Sequence, residues 1–236
     1  MYRLMQPSDR AAVVALWQKE RGDTAEFINT AMDRFAGEEN VYVAEENGQI
    51  EAAALAVPVT LQGRPGNYLF GLCGQGSLIL AGLVDTLCAQ QKLRGAGFTV
   101  AAPTSPERAA LLQDKGFQKA FALRCLPREV ERNLWSQAEF DSVTAKKLCE
   151  LRERFWPDTL MLTPEKMVVV LGVLYSRRAT IVSSEQGYGI YFRKEDTLYF
   201  VELMAEDDRS AEKLMEAARE KEVILEKAVV TVGAAQ

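Results

Sequence analysis

Apolar residues recur at helical spacing over residues 11–19, behind Pro7-Ser8-Asp9, and again over 24–35, so both segments are predicted helices. The period then shortens. Residues 41–44 (VYVA) read as a strand, Asn47-Gly48 as the tight turn of a hairpin, and 49–61 as the return strand. A turn over 63–66 leads into a strand over 67–72. Residues 78–93 are apolar enough on all sides for a buried helix, stopped by Gly95 and Gly97. A short apolar strand over 98–102 ends at Pro103. The helix over 105–115 has Ser105 as its cap, Pro106 in its first position and Gly116 past its end. Residues 118–126 read as a last strand. The order closes on strand–helix–strand–helix–strand, which implies parallel pairing through a right-handed crossover.

The pattern then starts again. After a polar stretch over 127–141 that opens with Pro127, helices are predicted over 142–155 and over 163–175, the latter with Thr163 as cap and Pro164 first. Strands follow over 179–184, 187–193 and 197–205, then a helix over 210–221 and a final strand or strand pair over 223–232. The stretches VYVAEENGQIEAAAL…NYLFGL and TIVSSEQGYGIYF…TLYFVEL share one plan: strand, glycine turn, strand, turn, strand, helix. This is a faint internal repeat. The expected organisation is a domain over 1–126, a linker over 127–141 and a second, partial domain over 142–236.

Composition narrows the chemistry. The chain has 236 residues and a net charge of -5, which argues against nucleic acid or an anionic membrane as a partner. No stretch is a secretory signal or a membrane span, and Cys73, Cys88, Cys125 and Cys149 are scattered, so a cytoplasmic protein with reduced thiols is expected. There is no histidine. Imidazole relays and imidazole-based zinc sites are therefore excluded, no metal is expected, and proton transfer must use carboxylates, Tyr, Lys, Cys, water or the substrate itself.

The stretch with candidate chemistry is LFGLCGQGSLILAGL, residues 69–83. Gly71, Gly74 and Gly76 lie between a strand and a helix, where backbone N–H groups and the helix dipole favour an anion. A tight strand-to-helix turn is the plain alternative. A dinucleotide loop fits poorly, because Ile79 stands where its third glycine belongs. Cys73, near a helix start, is either a reactive thiol or buried filler. Tyr68 either faces a cleft or belongs to the core. Glu45 and Glu46 read as solvated, AEDDRSAEK as an acidic helix start, and Tyr175 to Arg178 as a solvated helix end.

The strand NYLFGL, the loop CGQGS, the helix LILAGLVDTLCAQQKL and the tail SPERAALLQDKGFQKAF together resemble the GNAT superfamily of acyl-CoA-dependent N-acetyltransferases over residues 1–126. The second half resembles a truncated copy. The resemblance implies a mixed central sheet flanked by helices, an α/β fold of the α+β type in two related domains. It implies acetyl-CoA as co-substrate and a small-molecule amine or a peptide as acceptor. It places the cofactor at Phe70, Gly71, Leu72, Cys73, Gly74, Gln75, Gly76, Ser77 and Leu78. Two positions depart from the family pattern: Gly71 stands where Gln or Arg is expected at the start of the loop, and Leu112 stands where many members carry a Tyr that protonates the leaving thiolate. No catalytic residue is assigned. The second copy's loop, Glu206-Asp207-Asp208-Arg209, would repel a pyrophosphate. The C-terminal half is expected to close the acceptor side or to form a homodimer surface. The departures at Gly71 and Leu112 leave a second class open, a catalytically degenerate scaffold that binds a ligand or partner.

Overall fold

A computed structural model describes residues 1–130, 137–222 and 225–234, and divides into two compact units, Met1–Gln118 and Lys119–Gln236. The first unit runs β1 (Tyr2–Leu4), α1 (Arg10–Arg21), α2 (Ala25–Thr30), β2 (Val41–Glu46), β3 (Gln49–Leu61), β4 (Arg64–Gly74), α3 (Ser77–Leu93), β5 (Thr99–Ala101) and α4 (Pro106–Asp114). Its sheet has the order β1-β2-β3-β4-β5, with only β4 and β5 parallel. The predicted helix over 24–35 starts on its Thr24 cap, but after Thr30 the chain widens into a π-helical stretch, Ala31–Ala36.

Side chains alternate across each strand, so β4 sends Leu69 to one face and Phe70 to the other. On the Leu69 face, Ala52, Ala54 and Ala56 of β3 present a low surface on which Leu80, Leu83, Val84 and Leu87 of α3 pack, joined by Leu111 and Leu112 of α4. On the Phe70 face sits an aromatic cluster: the Phe70 ring lies 5.8 Å from Trp17 of α1, 6.5 Å from Phe27 of α2, 5.4 Å from Phe35 and 5.8 Å from Tyr68, between ring centroids. Trp17 is fully buried. Truncating a side chain of this size to Ala costs about 3–5 kcal/mol.

The second unit runs β6 (Ala122–Glu129), β7 (Glu139–Phe140), α5 (Ala145–Phe155), α6 (Pro164–Ser176), β8 (Thr180–Ser184), β9 (Gly187–Lys194), β10 (Thr197–Ala205), α7 (Asp208–Lys221) and β11 (Lys227–Ala234). Its sheet has the order β6-β11-β10-β9-β8-β7, with β10 and β11 parallel. From β7 to β11 this is the connectivity of β1 to β5, with a helix pair after the first strand and a crossover helix before the last. The mixed sheet flanked by helices, in two related halves, is thus the architecture that the resemblance implied.

Two boundaries differ from the sequence reading. The strand expected to finish the first half lies at 122–129, not 118–126, and it pairs in the second sheet. It runs antiparallel to β11 from Glu129↔Lys227 to Ala234↔Ala122. Eight residue pairs form there, against a β5 only three residues long, so the longer ladder wins. The first unit accordingly ends at Gln118 rather than 126. The expected linker, 127–141, has strand at both ends: Pro127 to Glu129 belong to β6, and Glu139 and Phe140 pair with Ser183 and Val182 of β8. Residues 131–136 lie outside the described residues. The short strands β1 and β7 were not anticipated.

Candidate functional site

The site begins with a defect in β4. Leu55 pairs with Phe70 and Ala53 with Cys73, so Gly71 and Leu72 together oppose Ala54 in a β-bulge. Gly71 takes φ +64, and a Cβ placed there would lie 2.1 Å from the Trp17 ring. No side chain fits, which explains why the expected Gln or Arg is missing: this position is strand, pressed against α1, and not loop. Parallel pairing of β4 with β5 stops at Leu69↔Ala101, just before the bulge. Beyond that point the strands part and leave a cleft lined by Arg21, Tyr68, Leu69, Phe70, Gly71 and Leu72 on one side and by residues 101–104, Arg108 and Leu112 on the other.

The nine residues expected to hold the cofactor fall into three groups. Phe70, Gly71 and Leu72 line the cleft. Cys73 and Gly74 end the strand, and Cys73 is fully buried; burial pushes its thiol up to about 12, so it is filler and not a nucleophile. Gln75 and Gly76 make the turn, and Ser77 and Leu78 open α3, with Leu78 exposed. Gly76 is the N-cap of α3 at φ +83. It has no side chain to cap the helix, and a Cβ there would meet only Ile79, at 3.7 Å. The first-turn amides of α3 are thus left without a side-chain acceptor, in a place with room around it.

Sequence reasoning missed the two charged groups that close this end of the cleft. The Gly74 amide donates to Glu20 Oε2 at 2.5 Å, while Arg108 Nη2 donates to Glu20 Oε1 at 2.6 Å and to the Gly74 carbonyl at 2.9 Å. A carboxylate from the end of α1 therefore rests on a strand-end amide and on an arginine from the first turn of α4. An anion is held where the family resemblance places a pyrophosphate, and the donors that hold it suit a phosphate oxygen equally well. Glu20 and Arg108 are 88 residues apart, and only the fold brings them together.

Tyr68 does face the cleft; burial raises its pKa, against a smaller lowering from Arg21, so it stays a protonated hydrogen-bond donor at neutral pH. Leu112 lines the cleft from α4 as a buried apolar residue and offers no proton. Glu45 is not merely solvated: it accepts from Arg3 at 2.6 Å, and Arg3 also binds Asp9. Among the described residues there is no metal-ligating cluster, and no helix is long and apolar enough to cross a membrane.

The second unit repeats the defect with other chemistry. Its bulge falls at Val201, between the pairs Phe200↔Tyr191 and Glu202↔Ile190, and pairing of β10 with β11 stops at Phe200. Beyond it, Glu202 is ion-paired to the largely buried Arg152 of α5, which also reaches the Leu160 carbonyl. The helix that follows is capped by Asp207, whose side chain accepts from the Ser210 amide at 2.7 Å, with Glu206 and Asp208 alongside. Those amides already have a carboxylate of their own.

Neither a protein-family model nor a curated protein matches the sequence. Solved structures do. The whole chain superposes on a GCN5-related N-acetyltransferase from Anabaena variabilis at 12% identity and TM-score 0.75, and on another from Kribbella flavida at 13% and 0.77. An Enterococcus faecalis protein of unknown function, a probable N-acyltransferase, matches at 14% and 0.78. The fold is that of the GCN5-related N-acetyltransferases. The chain spans 66%, 64% and 65% of those three proteins, respectively.

Proposed function

We propose that the chain is an N-acetyltransferase that moves an acetyl group from acetyl-CoA to an amine, and that the cleft of the first unit is its active site. The observation that carries this is the bulge at Gly71 and Leu72. It parts β4 from β5 beside a helix whose first turn has no side-chain cap and beside a strand-end amide that already holds a carboxylate. Acetyl-CoA, when bound, supplies an activated thioester carbonyl and a thiolate leaving group. The backbone of Phe70 to Leu72, freed from β5, holds the pantetheine arm and orients the carbonyl. Gly74, Gly76 and the first turn of α3, with Arg108, hold the diphosphate. Tyr68 donates a hydrogen bond in the cleft. The cleft lining includes no carboxylate, so the amine arrives as its free base and loses its second proton to water. The rate is then expected to rise with pH up to the pKa of the acceptor itself.

The test is a melting scan with acetyl-CoA. At about 100 times its dissociation constant a ligand adds about 2.7 kcal/mol, roughly 5–10 °C for a chain of this size. Free-thiol release across a panel of amines then establishes catalysis. No shift at millimolar acetyl-CoA overturns the cofactor assignment. A shift with no thiol release from any amine favours a second reading, a non-catalytic scaffold, for which the apolar Leu112 is the specific observation.

A further inference from the structure

The acceptor end of the cleft carries donors without matching acceptors. Arg21 ends α1 with its guanidinium 5.7 Å from the Trp17 ring centroid. Asp23, which accepts from Trp17 Nε1 at 2.8 Å, stands 3.7 Å from the Arg21 Nε edge. The indole lies against the guanidinium through its ring, and this carboxylate pairs with the Nε edge. Its two Nη groups, on the other edge, make no hydrogen bond to any described residue, and neither does the Tyr68 hydroxyl. Arg21 and Tyr68 both line the cleft, next to Phe70 and Thr104, and no Asp or Glu is among the lining residues. A half-buried planar fork beside a phenol, with apolar walls, matches a group that only accepts hydrogen bonds and is itself planar and anionic. The same fork repels a cation.

Resting on the acetyltransferase reading, we propose that the acceptor is an aminocarboxylate, an amine whose own carboxylate is gripped by Arg21 with Tyr68 as second donor, and that polyamines and other polycations are rejected. Phosphate-bearing amines share the anionic chemistry and are distinguished by the test. Thiol release is measured with acetyl-CoA and five acceptors: phenylalanine, phenylalaninamide, phenylethylamine, aminoethyl phosphate and spermidine. Phenylalanine is expected to exceed its amide and phenylethylamine by about 10- to 100-fold in kcat/KM, the range of one hydrogen-bonded charge, with the difference in KM. Arg21→Met brings the ratio of phenylalanine to phenylethylamine close to one, and Arg21→Lys restores part of it. Binding of N-acetylphenylalanine to the resting protein, followed by melting shift, weakens in parallel in Arg21→Met. Preference for spermidine or for the amide, or an Arg21→Met effect equal on all acceptors, overturns the proposal while leaving the acetyltransferase standing. Preference for aminoethyl phosphate replaces the carboxylate by a phosphate and overturns it too. If no amine releases thiol, the acetyltransferase reading fails, and loss of the N-acetylphenylalanine shift in Arg21→Met still decides whether Arg21 holds a carboxylate.

Discussion

The helices α3 and α7 start at corresponding points of two sheets with the same connectivity, and they start in opposite ways. α3 has a glycine at its N-cap and presents bare amides; α7 has Asp207 there and fills them. The bulges differ in the same sense: Gly71 lies hard against Trp17, while Val201 is a half-exposed residue of ordinary backbone. One backbone plan therefore yields a cleft open to an anion in one unit and a start sealed by its own carboxylate in the other. The architecture provides the place, and single side chains decide whether anything can bind there.

Changes at the bulges test this contrast most severely. Gly71→Val is expected to destabilise the protein by about 3–5 kcal/mol, because it joins a β-branched side chain at positive φ to overlap with Trp17. Val201→Gly is expected to cost about 0.5–1 kcal/mol, mostly entropy. Urea titration of both variants measures the asymmetry, and equal losses would show that the two bulges are not different in kind. Next, Gly76→Asp transfers the α7 cap to α3. It is expected to weaken acetyl-CoA about 100-fold or more, since a carboxylate near the diphosphate costs several kcal/mol. Its melting temperature should fall by a few degrees, because a cap gain of a few tenths of a kcal/mol over glycine does not offset backbone strain of about 1–3 kcal/mol at φ +83. The reverse change, Asp207→Gly, is expected to create no coenzyme binding, as Glu206 and Asp208 remain.

A smaller effect is expected at the clasp. Glu20→Gln removes the charge that holds Arg108 and the Gly74 amide, so acetyl-CoA should bind up to about tenfold more tightly, ~1.4 kcal/mol. Calorimetric titration reads this directly; weaker binding in Glu20→Gln would mean that Glu20 positions the loop and does not compete for it. The smallest effect is in pH. The Ser210 amide, and then its side chain, hold the Asp207 carboxyl below its ordinary pKa. A carboxyl depressed in the folded state stabilises fully above its unfolded pKa, about 3.9, and that contribution is lost as pH falls through the folded value. Protection of the first-turn amides of α7 against exchange should therefore fall below about pH 4, while the first turn of α3, capped by a glycine, shows no step from a cap.

Much of this was legible from local chemistry. The hairpin at Asn47-Gly48, the caps at Ser105 and Thr163, and the glycine turn before α3 depend on residues within a few positions of one another. What was not legible depends on distance. β1 and β7 are too short to carry a period of their own, and β6 looks like any strand until its partner 98 residues later is known. The loop glycines could be read as an anion site, but the bulge at Gly71 exists because of Trp17, 54 residues earlier. Nor could the sequence bring Arg21 and Arg108 to one cleft, or set Glu20 against Arg108 and the Gly74 amide beside it, although charged residues at the last turn of α1 and the first turn of α4 were a signal. Cys73 read as either a reactive thiol at a helix start or buried filler, and its burial at the end of β4 makes it filler.

The assignment of β6 to the second sheet has a consequence for how the chain is made. Glu129 and its partner Lys227 are 98 residues apart, so during synthesis at about 5–20 residues per second the finished strand waits on the order of 5–20 s for its complement. For that interval it is an unpaired hydrogen-bonding edge, the kind of surface on which nascent chains aggregate. Its sequence, ALRCLPRE, suits the wait: Arg124, Arg128 and Glu129 keep it charged, and Pro127 removes a donor in its middle. Replacing those residues by apolar strand formers would leave the folded ladder largely intact and is expected to show its cost in yield from the ribosome rather than in the melting temperature.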